Sequence, residues 1–119
     1  MLLVCYPKCG TCRKARAWLD GNNIKYDWRD IKEDNPTAAE LVCWQQASGL
    51  PLKKFFNTSG LKYKALELSK KLPSMSEAEQ LALLAADGML VKRPLLIDGG
   101  TVLVGFKEAE WARSLRPEN

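Results

Sequence analysis

Two cysteines one helical turn apart, Cys9-Gly10-Thr11-Cys12, stand where an apolar run gives way to a helical pattern, and that placement constrains the chain more than any other feature. Leu2-Leu3-Val4-Cys5-Tyr6 is short, apolar and rich in strand formers, and Pro7 stops it, so a buried strand is expected there. From Thr11 to about Asn22 the spacing predicts a helix, with Cys12, Ala15, Trp18 and Leu19 on one side and Gly21-Asn22-Asn23 as its stop. The first sulfur then lies at a helix N-terminus, where unpaired N–H groups and the helix dipole favour negative charge. The chain has no histidine, so no Cys-His or Ser-His pairing and no imidazole metal ligand can be built. Cys9 must be activated by its position. A thiol lowered from ~8.5 to ~6.5 goes from a few per cent thiolate at pH 7 to about three quarters, and Lys8, Arg13 and Lys14 add positive charge nearby. Cys12, on the same face, can attack a mixed disulfide formed at Cys9 and release the product.

Ile24 to Asp30 alternates, with Ile24, Tyr26 and Trp28 opposite Lys25, Asp27 and Arg29, which predicts a second strand. After Asn35-Pro36, Thr37 can cap a helix through Glu40, with Ala38, Leu41, Trp44 and Ala47 on its period and Ser48-Gly49 at its end. Leu52 to Phe56 and Tyr63 to Leu68 read as short amphipathic turns. Ser76 to Asp87 reads as a helix with a Ser76/Glu79 capping box, an apolar face of Leu81, Leu84 and Ala85, and Gly88 closing it. Leu95–Ile97 and Thr101–Val104 flank the turn Asp98-Gly99-Gly100, and Lys107 to Leu115 ends the pattern as a helix. The order β-α-β, helical insert, β-β-α predicts an α/β, thioredoxin-like (glutaredoxin-like) mixed sheet. It is expected as a single domain over residues 1–119, the thioredoxin-like part at about 1–34 and 90–119 and the insert at about 35–89.

Cys5, Cys9 and Cys12 spell C-x-x-x-C-x-x-C, and with Cys43 they invite comparison with iron–sulfur or zinc ligation. Against that, Cys5 falls in a predicted buried strand and there is no second cysteine pair, so Cys5 and Cys43 read as core cysteines and no metal is expected. Lys92-Arg93-Pro94 precedes the strand Leu95-Leu96-Ile97. Pro94 suits a strand start, through a cis bond beside the thiols or as a simple turn proline. Arg93 can stabilise the Cys9 thiolate or hold an oxyanion bidentately.

A 46% hydrophobic content suffices for one core, and four unevenly spaced cysteines suit reduced thiols better than a disulfide scaffold. The net charge of +4 is mild and interleaved, compatible with an anionic substrate but not with direct DNA binding. The first residues lack the pattern of a signal peptide and no apolar run approaches a membrane span, so the expected location is the cytoplasm. Trp18, Trp28, Trp44 and Trp111 suit either core or interface.

Three segments carry a resemblance to a known family. Tyr6-Pro7-Lys8-Cys9-Gly10-Thr11-Cys12-Arg13-Lys14-Ala15, Lys92-Arg93-Pro94-Leu95 and Val104-Gly105-Phe106-Lys107-Glu108, with Phe55-Phe56-Asn57-Thr58-Ser59-Gly60 between them, resemble the ArsC/Spx family of thioredoxin-fold proteins along essentially the whole chain. The resemblance implies a cis Arg93–Pro94 bond facing Cys9. It implies a catalytic set of Cys9, Cys12 and Arg93, and a substrate side of Lys8, Gly10, Thr11, Arg13, Asn57 and Pro94. It also implies no bound cofactor, with glutathione or the thioredoxin system as reductant. The family's arsenate reductases hold the oxyanion with three arginines and draw electrons from glutathione and glutaredoxin; its Spx regulators bind the RNA polymerase alpha subunit and use a C-x-x-C as a redox switch. Here Arg93 alone matches the arginine trio, the other two positions falling at Asn57 and near Phe106. Two missing guanidinium contacts of about 1.5–3 kcal/mol each argue against arsenate as substrate. The regulators generally continue past the last helix, whereas this sequence stops at Arg116-Pro117-Glu118-Asn119. The expectation is a thiol-disulfide redox protein, with a polymerase-binding redox regulator as the alternative.

Overall fold

The computed structural model describes residues 1–115; Arg116-Pro117-Glu118-Asn119 lie outside the described residues. Four strands, β1 (Leu2–Cys5), β2 (Asp27–Asp30), β3 (Leu95–Asp98) and β4 (Thr101–Val104), form one mixed sheet in the order β2-β1-β3-β4. β1 and β2 are parallel, which requires a crossover, and α1 (Gly10–Gly21) supplies it. β1–β3 and β3–β4 are antiparallel, the latter pair joined by a tight turn in which Gly99 takes φ +59°. Between β2 and β3 run α2 (Ala38–Ser48), α3 (Leu61–Ala65), α4 (Leu68–Lys71) and α5 (Glu77–Ala86), with short 3-10 turns; α6 (Glu108–Leu115) follows β4.

The alternation of strand side chains divides the core in two. Leu3, Cys5, Leu96 and Leu103 face α1 and α6, packing with Cys12, Ala15, Leu19 and Trp111. Val4, Leu95 and Val102 face the helical insert and meet Leu41, Trp44, Phe55, Phe56 and Leu84. Trp111 is fully buried and donates its Nε1–H to the Gly105 carbonyl at 3.0 Å, satisfying the one polar atom its burial would orphan.

Several local expectations are corrected. β2 begins at Asp27 rather than Ile24 because the Ile24 N–H is spent on the Leu19 carbonyl, finishing α1, and the ladder starts where Asp27 N–H reaches the Met1 carbonyl. β2 is an edge strand, and Trp28 on it is 41% exposed. Cys43 is exposed on α2 rather than in the core, and Ala38 and Ala47 are exposed too, leaving Leu41 and Trp44 as the buried face. The Tyr63–Leu68 segment is two short helices, broken by Glu67 at φ +53°. Gly88 does more than end a helix: a Cβ there would come within 1.7 Å of the Ile31 carbonyl oxygen, so glycine is what lets the insert close against the end of β2.

Candidate active site

The site is built where β1 hands the chain to α1. Pro7 and Lys8 turn the backbone, the Cys9 N–H returns to the Tyr6 carbonyl at 3.0 Å, and Cys9 becomes the N-cap of α1 with extended φ and ψ. Arg13 folds back to donate from Nε to the Pro7 carbonyl at 3.2 Å, which pins this turn. The first turn of α1 carries no acidic residue, so nothing there opposes a negative sulfur.

Cys9 is half-buried, and burial pushes its thiol pKa up; the Cys12 N–H, the Arg93 guanidinium, the Cys12 thiol and the Thr11 N–H outweigh this and leave it below the ordinary thiol value. Its sulfur makes no directed cap hydrogen bond, so these donors act by proximity. Cys12 behaves oppositely. It is 1% exposed and packs against Cys5, and the Cys5 sulfur together with burial drives its pKa strongly up. The helix N-terminus thus pairs an accessible sulfur favoured as thiolate with a sealed sulfur held as thiol. Both are reduced in this structure.

Cys9 opens into a cleft of about 560 Å³ whose lining includes Thr11, Asn57, Leu61, Lys92 and Arg93. Arg93 lies across the cleft floor, its guanidinium 5.4 Å from the centre of the Tyr6 ring and its Nη1 3.4 Å from the Met89 carbonyl, while its buried Nε has no hydrogen-bond partner. The Arg93–Pro94 bond is cis, and the Pro94 carbonyl accepts from the Gly105 N–H at 2.8 Å. Asn57 is tied through its N–H to the Leu90 carbonyl at 2.8 Å, and Gly60 packs so closely that a Cβ would meet the Asn57 amide at 2.8 Å. Lys62 is ion-paired with Asp87, leaving Lys92 and Arg93 as the cleft cations without a carboxylate partner among the described residues.

Of the residues expected from sequence, the cleft brings together Cys9, Thr11, Asn57 and Arg93, with Cys12 buried beneath. Lys8, Gly10, Arg13 and Pro94 are not on its lining. Arg13 is engaged with Pro7, and Gly10 sits in open space where a Cβ would meet nothing. Phe106 is not on the lining either; it stacks edge-on against Trp111 at 4.9 Å and leans on Trp18. Sequence reasoning missed Leu61, Lys62 and Met89, which the insert brings to the cleft that Cys9 and Thr11 line at the start of α1. Among the described residues no three cysteine or carboxylate side chains converge on a point that could hold a metal.

A parallel β-α-β start, a helix opening on a cysteine pair, and a cis-proline leading into an antiparallel hairpin define a thioredoxin-like protein. More narrowly, the chain belongs to the ArsC family, whose model matches residues 5–114. It is 57% identical over 106 residues to the uncharacterized protein YusI of Bacillus subtilis strain 168, covering 89% of this chain and 90% of that one. It is 28% identical over 109 residues to the global transcriptional regulator Spx of Staphylococcus haemolyticus strain JCSC1435, covering 92% and 82%. The crystal structure of an ArsC family related protein from Bacteroides fragilis superposes with a TM-score of 0.92 at 59% identity over 94% of both chains.

Proposed function

We propose that the protein is a thiol-disulfide oxidoreductase in which Cys9 attacks and Cys12 resolves. The observation that carries this reading is the placement of two sulfurs one helical turn apart at the start of α1, Cys9 as its N-cap opening into the cleft and Cys12 sealed beneath, with the first favoured as thiolate and the second as thiol. The Cys9 thiolate attacks a substrate disulfide, one sulfur of which joins Cys9 while the other leaves with the electron pair. Cys12 then loses its proton and attacks Cys9, forming the Cys9–Cys12 disulfide and expelling the second substrate thiolate. Arg93 stabilises the charge on Cys9, and Lys92 and Arg93 suit an anionic thiol such as glutathione as substrate or reductant. The thioredoxin system is the other reductant the reading allows. Arsenate is a poor fit, since Asn57 and Phe106 supply no guanidinium.

The experiment is a turnover assay with glutathione-mixed disulfides and with protein disulfides, run beside a pull-down on Cys12→Ser under non-reducing conditions. The reading expects turnover abolished in Cys9→Ser and substrates trapped covalently on Cys9 in Cys12→Ser. The relationship to Spx motivates a second reading, a redox-sensing regulator that binds the RNA polymerase alpha subunit. Recovery of polymerase without a disulfide and without turnover would favour it. Arsenate reduction with glutathione as fast as a three-arginine enzyme would overturn the assignment of substrate.

A further inference from the structure

The reaction above leaves unused a third sulfur, that of Cys5, which lies in the same buried cluster as Cys12. Cys5 ends β1 on the sheet face shared with Cys12, and both are sealed from solvent. Cys12 packs against Cys5 in the core cluster beneath α1, with Cys9 at the edge of that cluster. The Tyr6 N–H, one residue past Cys5, donates to Cys12 Sγ at 3.3 Å and holds the strand end against the first turn of α1. From the neighbouring strand, Trp28 donates its Nε1–H to Cys5 Sγ at 2.8 Å. The Arg16 guanidinium sits 5.4 Å over the Trp28 ring, its Nε buried and without a partner.

A cysteine that only fills space needs apolar neighbours, and these raise its pKa. Cys5 has two donors and a cation around it instead. Its pKa is lowered, first by the Cys12 thiol, then by the Trp28 indole and Arg16, against burial and the Asp30 carboxylate, which oppose the shift. The edge position that leaves Trp28 partly exposed also lets its indole N–H turn inward to the sulfur.

We propose that Cys5 is a third redox thiol, which takes the disulfide over from the Cys9–Cys12 pair by intramolecular exchange at Cys12. This rests on the reading of Cys9 and Cys12 as a redox pair. The Cys5 thiolate attacks Cys12 Sγ; the Cys5–Cys12 bond forms as the Cys9–Cys12 bond breaks, and the electron pair leaves on Cys9 as its thiolate. One disulfide is exchanged for another, so no oxidant or reductant is consumed. Once Cys12 is oxidised it no longer donates to Cys5, and Trp28 and Arg16 are the groups that hold the attacking charge. The leaving sulfur is the more acidic of the original pair, which favours its departure. The consequence is a protein that stores an oxidation in its interior while presenting a fresh Cys9 thiolate in the cleft.

Trypsin separates the candidates, since cleavage after Lys8 and Arg13 leaves Cys5 in peptide 1–8 and both Cys9 and Cys12 in peptide 9–13. The protein is oxidised with one equivalent of diamide, acid-quenched, unfolded, blocked with N-ethylmaleimide, digested and mapped by tandem mass spectrometry. The expected product is peptide 1–8 cross-linked through Cys12 to peptide 9–13, with maleimide on Cys9. Trp28→Phe keeps the ring and removes the donor, and should move the distribution several-fold toward the disulfide internal to peptide 9–13; Cys5→Ala should move it entirely. The proposal is overturned by a wild-type map with the internal Cys9–Cys12 disulfide alone and maleimide on Cys5, by a Cys5–Cys9 cross-link, or by a distribution unmoved in Trp28→Phe. Absence of any disulfide in these peptides would overturn the Cys9–Cys12 reading as well, so the two failures are distinguishable.

Discussion

The helices α2 and α5 open as helix-end chemistry prefers, and α1 does not. Thr37 accepts from the Glu40 N–H at 3.1 Å while Glu40 returns to the Thr37 N–H at 3.0 Å, and Ser76 and Glu79 repeat the exchange. Each box satisfies two orphan donors and places a carboxylate against the positive end of the helix. α1 opens on Cys9, whose side chain makes no cap hydrogen bond, and its first turn has no acid. Amides that a serine would have satisfied are left to act on a sulfur, so this helix end gives up local stability to favour charge on Cys9. The contrast separates a helix end built for folding from one built for reactivity.

The largest test of that contrast is Cys9→Ser. It should abolish thiol-exchange turnover while leaving stability unchanged or raising it by up to about 1 kcal/mol, because serine is a better cap; chemical denaturation beside the assay measures both. A clear loss of stability would mean that Cys9 is structural. Arg93→Met comes next. It should raise the Cys9 pKa and slow iodoacetamide alkylation at pH 7 by several-fold to about tenfold, the low end for a charge-assisted contact because the cleft is open to water.

The boxes should respond in the opposite way. Thr37→Ala and Ser76→Ala should each cost about 0.5–2 kcal/mol in urea titrations and leave the alkylation rate of Cys9 unaltered. The smallest effect is a pH dependence confined to α2. The Arg29 guanidinium, bonded to Glu40 at 2.7 Å, holds that carboxyl down at about 2 against burial, with the Thr37 N–H assisting. A depressed acid stabilises the fold above its unfolded pKa, so this contribution is full above about 4.5 and is lost as pH falls toward about 2. Glu40→Gln should flatten that part of the acid-unfolding curve and leave the curve at neutral pH parallel to wild type.

Both kinds of helix end were legible in the sequence, since capping boxes and the cysteine pair are local patterns of three or four residues. The order of elements along the chain was legible too, because each strand and helix carries its own local pattern, whereas the order of strands across the sheet is set by tertiary pairing. What escaped depends on tertiary approach. Alternation placed Trp28 with Ile24 and Tyr26, yet the strand lies at the sheet edge and its ladder starts three residues later. Cys43 falls next to the buried period of α2, where one position of rotation separates core from solvent. The far wall of the cleft, with Leu61, Lys62 and Met89, comes from loop and short-helix residues whose spacing carries no sign of what they face. The lysine near the thiol that counts, Lys92, belonged to a motif read for its arginine and proline.

The most direct measurement is the pH dependence of alkylation at Cys9, followed residue by residue by mass spectrometry in wild type, Cys12→Ser and Arg93→Met. The account predicts that Cys9 alkylates fastest, ahead of the exposed Cys43, titrating below the ordinary thiol value in wild type and upward in Arg93→Met, with Cys12 unreactive until the chain unfolds. Cys9 titrating at or above the ordinary value, or Cys12 reacting first, would contradict it.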